Sequence, residues 1–155
     1  MADFEAIRRG LAALLKDALP GTAGHASPWL AENPIPTTLC VAGVAPDGIE
    51  YLTFGSDPTM QIDFVVEAWL GLASEVAAQR TLDGLLSSDA LAAALEVDQD
   101  SAGALTKRLN DDGTVSTGQT PAADSVSVQG YQGQQRLQTA SGVALVATWL
   151  VRVIA

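Results

Sequence analysis

One cysteine, one histidine and eight basic side chains are all that this 155-residue chain offers to several large classes of chemistry. A lone Cys40 forbids an intramolecular disulfide, and Cys40 with His25 cannot complete a structural zinc site. Nucleophilic catalysis by Ser or Cys wants a base beside it, yet His25 is the sole histidine and no Gly-x-Ser-x-Gly elbow occurs. Lys+Arg 8 against Asp+Glu 18 leave a formal charge of −10 and a pI near 4.2, the wrong sign for gripping phosphates. No apolar run reaches the ~18–20 residues of a membrane span. Met1 to Glu5 carry acid where a secretory leader carries base, so the chain reads as soluble and cytosol-made. Glycines are scattered, and none precedes a Lys-Ser or Lys-Thr pair, so no phosphate loop is expected.

What is present is a core. Hydrophobic residues make up 48%, and a chain of this length folds as one domain without staples. From Asp3 to Leu19, the residues Phe4, Ile7, Leu11, Leu14, Leu15 and Ala18 form a helical stripe, closed by Pro20-Gly21. Arg8, Arg9 and Lys16 are expected on its outer face. Pro20 to Pro36 forbids a helix but allows short extended pieces near His25 and Trp29. Thr37–Ala45 and Ile49–Phe54 read as two strands of a hairpin turning at Pro46-Asp47-Gly48. Met60 to Leu70 alternates: Met60, Ile62, Phe64, Val66, Ala68 and Leu70 inward, Gln61, Asp63, Val65, Glu67 and Trp69 half-wet. Ser74 can cap a helix to about Leu86 with Val76, Leu82, Leu85 and Leu86 inward, and a short helix follows over Ala90–Leu95. Asn110–Asp124 reads as a long polar loop. Ser125–Tyr131 reads as a strand, Gln132–Gly142 as the polar tip of a hairpin, and Val143–Ile154 as a central strand, apolar on both faces. Helices do not alternate with strands, so the class is α+β.

Candidate chemistry is thin. Asp98 with Gly103 imitates a calcium loop, but Ala102 and Leu109 occupy ligand positions, and starting at Glu96 puts Lys107 in the last one. Cys40, within Leu39-Cys40-Val41, is expected to be a small core side chain. Of the three tryptophans, Trp149 and Trp69 suit sheet packing. Trp69, on the half-wet face, is the better candidate for a surface covered by a neighbour. Trp29, between prolines, suits a surface anchor and a lid on the core equally.

The pieces in order do resemble something. They are the opening Ala2-Asp3-Phe4-Glu5-Ala6-Ile7-Arg8, then Leu19-Pro20-Gly21 and Ser27-Pro28-Trp29 to Asn33-Pro34. The strand Ile62 to Ala68 follows, with the run Gly71 to Asp83, the helix Ala92 to Glu96 and the ending Ala147 to Ala155. Together these are similar to the tail terminator proteins of long-tailed, siphovirus-type phages, particularly those of actinobacterial hosts. The resemblance implies an α+β fold, with a mixed, largely antiparallel sheet of four or five strands and two main helices on one side. It implies a virion protein with no cofactor, no metal and no catalytic residue. A ring, six-membered, would cap the tail tube, stop its polymerisation and present a docking surface to the head-completion protein. DNA would pass through an acidic lumen without specific binding. Subunit and partner contacts are expected at Arg8, Arg9, Trp29, Trp69, Gln134, Gln135 and Arg136, with both polar loops against neighbours. A head-completion or connector protein is the alternative. A hydrolytic or ligand-binding monomer is more remote, because it needs a concave pocket with convergent polar groups.

Overall fold

The computed structural model describes residues 3–15, 25–27, 29, 38–71, 75–87, 91–92, 95, 123, 125–139 and 142–155. Helix α1 spans Phe4–Leu15 and begins where Asp3 supplies a cap: the Ala6 amide donates to Asp3 Oδ1 at 3.0 Å. Ile7, Leu11 and Leu15 are fully buried and Phe4 and Leu14 pack beside them, as the stripe requires. The expected continuation to Leu19 and the Pro20-Gly21 stop lie outside the described residues.

Strands β1 (His25–Ser27), β2 (Thr38–Tyr51), β3 (Met60–Gly71), β4 (Ser125–Thr139) and β5 (Gly142–Ile154) form one sheet. Their order is β1-β2-β3-β5-β4. Only the β1–β2 pair is parallel; the other three pairs are antiparallel. Helix α2 (Glu75–Ser87) completes an α+β fold. The alternation in β3 sets the two faces: Ile62, Phe64, Val66, Ala68 and Leu70 are at most 2% exposed, while Gln61, Asp63, Val65, Glu67 and Trp69 are half-buried. Ile7, Leu11 and Leu15 of α1 and Ala78, Leu82 and Leu85 of α2 join the inner residues of β3 in one core. Both helices therefore cover the same side. The rings of Phe4 and Phe64 lie 6.3 Å apart in that layer. Strand β5 is central as expected, between β3 and β4, with Val146, Ala147, Val151 and Val153 fully buried.

Three expectations about elements need correction. Pro46-Asp47-Gly48 does not reverse the chain. Val44 faces Phe64 and Ile49 faces Ile62, so residues 45–48 bulge out opposite Asp63 and β2 resumes in its original direction. Its hairpin partner is β3, and Leu52 to Thr59 makes the turn, closed by the Leu52 amide on the Thr59 carbonyl at 2.8 Å. Gln132–Gly142 is not a loop either. Gln132 to Thr139 belong to β4, paired with β5 up to Thr139 opposite Gly142; residues 140–141 lie outside the described residues. A polar edge strand satisfies its backbone on one side and faces water on the other, which gives a strand the composition of a loop. Val76, finally, is 61% exposed, and Ala78 takes the inward place, because position 76 stands on the far side of the stripe at 78, 82 and 85. Leu91, Ala92 and Leu95 are helical, with Leu91 and Leu95 buried, in keeping with the expected short helix. Ser74, the region compared with a calcium loop, and Asn110–Asp124 apart from Ala123 lie outside the described residues.

Candidate interaction surface

The residues expected to make contacts fall into separate places. Arg8 was expected on the outer face of α1, but it turns toward the sheet. Its Nη1 donates to the Val41 carbonyl at 3.0 Å, and its guanidinium lies 4.7 Å from the Trp29 ring centroid. Burial pulls its pKa below the ordinary arginine value. The spacing Phe4, Arg8, Leu11, Leu15 is itself a helical stripe, a signal that its charge obscured. Trp29, 46% exposed, covers that guanidinium from outside. Arg9 stays on the solvent side and pairs with Glu5 one turn back at 2.8 Å.

The outer sheet face holds Trp69, whose Nε1 donates to Glu67 Oε2 at 3.0 Å. Cys40 is the cross-strand partner of Glu67 and is 1% exposed. Burial first, then the charge of Glu67, push its thiol up to about 12, so this is a packed side chain and not a nucleophile. On the same face Arg152 grips its registered partner Asp63 with two hydrogen bonds, 2.9 and 3.2 Å. That grip, foremost, raises the Arg152 pKa.

Gln134, Gln135 and Arg136 are exposed on β4. Gln134 and Arg136 register with Ala147 and Leu145, while Gln135 registers with Val146 on the outer face. Gln134 donates to Gln79 of α2 at 3.3 Å, so α2 lies along β4. Further along that seam is a cleft of about 280 Å³ lined by Leu85, Leu86, Leu91, Ala92, Val128, Gly130, Tyr131 and Trp149. Tyr131 and Trp149 stack at 5.4 Å in its wall. Burial, then the charge of Asp83, raise the Tyr131 pKa. The lining side chains are those of apolar residues apart from the Tyr131 hydroxyl, with polar atoms also exposed in the wall, and none of them is an acid or base of a catalytic pocket.

Among the described residues, exposed apolar side chains gather in a place that the hydrophobic periodicity does not mark. In the β2–β3 turn Phe54 is 98% exposed, with Leu52 at 45%, and Ile49 and Tyr51 stand exposed on the adjoining strand. The sequence pattern puts Phe54 at the end of a strand, whereas the structure puts it in the turn. Its neighbours Gly55-Ser56-Asp57-Pro58 are turn residues, and an aromatic held in such a run is poorly placed to reach a core. Among the described residues no three His, Cys, Asp or Glu cluster as metal ligands, and no helix is long and apolar enough to cross a membrane. No model of a known protein family matches the chain, and comparison with curated proteins finds no relative.

Proposed function

We propose that this chain is a structural ring subunit of a phage tail, a tail terminator that caps the tail tube, stops its growth and receives the head-completion protein. The name of this role comes from the sequence resemblance. The observation that carries it is the β2–β3 turn, which leaves Leu52 45% and Phe54 98% exposed, away from the core. Isolated apolar side chains on a surface are ordinary, but Ile49, Tyr51, Leu52 and Phe54 exposed together at the end of β2 and in its turn make a docking surface for a macromolecule. The strong acidity agrees, because a ring that lets DNA through must not hold it.

Electron microscopy of tails assembled with and without this protein tests the role. Tubes of uncontrolled length in its absence are the expected result. Tails of uniform length that merely fail to join heads would instead assign it to the head-completion or connector position. Normal infectious particles would remove it from the neck altogether.

A further inference from the structure

The turn that exposes Phe54 and the cleft beside α2 are complementary in chemistry and size, and one chain carries both. The cleft measures about 280 Å³ and is walled by Leu85, Leu86, Leu91, Val128, Tyr131 and Trp149. An enclosed apolar cavity of ~150 Å³ already takes benzene, so the volume of this open cleft, about 280 Å³, is large enough for a phenyl ring. Tyr131 and Trp149, tilted at 55° to one another, give the cleft an aromatic wall against which a further ring can pack.

Phe54 cannot fill the cleft of its own chain. Trp149 registers with Val66, six residues along β3 from Met60, and Phe54 lies beyond Met60 in the turn. At ~3.4 Å per residue that separates knob from cleft by about 20 Å along the strands. We infer that Phe54 of one copy seats in the α2–β4–β5 cleft of a second copy, making a repeating head-to-tail contact. The charges run the same way. Exposed Asp57 follows Phe54 in the turn, while exposed Arg136 of β4 registers with Leu145, on the same face of the sheet as the Tyr131–Trp149 pair of the cleft. A knob and a pocket at different places on one subunit make a heterologous interface, which closes into a ring or runs on as a filament. The inference deepens the ring reading given above and rests on it for the choice of a second copy as occupant.

Disulfide trapping tests the contact directly. Cys40 is buried, so thiols introduced by Phe54→Cys and Ala92→Cys are the ones that react in the folded protein. Mild oxidation of the double variant, followed by alkylation and a non-reducing gel, should give a ladder of dimers, trimers and larger species. Each single variant should stay monomeric. No ladder at the highest concentration reached overturns the contact. So does a Phe54→Cys single variant that dimerises as readily as the double variant, which would mean knob against knob.

Phe54→Ala should weaken self-association in sedimentation by about 10- to 100-fold, with an unchanged melting curve because the ring is 98% exposed in its own chain. Unchanged self-association counts against the contact. Ala92→Leu, which narrows the cleft, should act in the same direction. A ladder combined with normal tails in the protein's absence would overturn the tail role and leave the contact. A missing ladder with uncontrolled tails would do the reverse.

Discussion

A methyl group on Gly48 would lie 2.7 Å from the Ala45 carbonyl oxygen and 2.9 Å from that of Asp63, both backbone atoms that cannot swing away. The residue before it, Asp47, already holds a left-handed φ of 55°, so the bulge in β2 needs a tolerant residue followed by one with no side chain. Gly48→Ala should cost about 1–3 kcal/mol in urea unfolding, by overpacking. An unchanged midpoint would mean that the bulge opens freely. Cys40 gives a second prediction at this scale. Its folded pKa, about 12, lies above that of an unfolded thiol. Between about pH 9 and 12 the unfolded chain therefore binds fewer protons than the native one, and stability falls as pH rises. Cys40→Ala should flatten that alkaline slope in denaturant melts at a series of pH values. A slope identical to that of the parent would assign it to other groups.

At the scale of elements, strand β4 offers a controlled comparison. A Cβ at Gly130 or at Gly133 would meet nothing within 4 Å, but Gly133 has a φ of 123°. Each glycine follows one of the two register shifts against β5. Gly133→Val should lose roughly 1–2 kcal/mol from backbone strain alone. Gly130→Thr should be neutral or slightly stabilising, since an ordinary strand position gains from a β-branched residue. Equal effects on chemical denaturation would show that φ is not the cause. The same strand shows what the sequence could and could not disclose. Alternation in Met60–Leu70 and the doubly apolar Val143–Ile154 announced a long strand and a central one, because burial on one or both faces leaves a period that can be read directly. Polarity in Gln132–Thr139 did not announce an edge strand, since exposed polar side chains on both faces erase that period. Pro46-Asp47-Gly48 was legible as a turn, but a bulge and a reversal use the same residues. Only the partner strand separates them. The candidate surface was less legible still. Arg8, expected on the outer face of its helix, turns in toward the sheet, and Phe54, expected at the end of a strand, stands in the open.

For the whole molecule, charge decides how copies meet. Each carries a formal −10, so two subunits repel before any contact forms, and a ring of such subunits concentrates acid further. Burial of Phe54 is insensitive to salt, whereas the repulsion is screened as the Debye length shrinks from ~10 Å at 0.1 M to ~3 Å at 1 M. Self-association measured by sedimentation should therefore tighten with added salt, the opposite of a contact made mainly by ion pairs. Within that repulsive field a base placed at the interface matters more than its number suggests. Arg136 on β4 lies on the same face of the sheet as the Tyr131–Trp149 pair of the proposed cleft, while Arg9 is engaged with Glu5 on its own helix. Arg136→Glu and Arg9→Glu change the net charge by the same amount, so comparing them separates position from total charge. Arg136→Glu should weaken association strongly at low salt and converge on the parent at high salt. Arg9→Glu should cost the helix a few tenths of a kcal/mol through its new clash with Glu5 and leave association close to the parent. Equal weakening by both variants would mean that only the overall charge matters and that Arg136 is not at the contact.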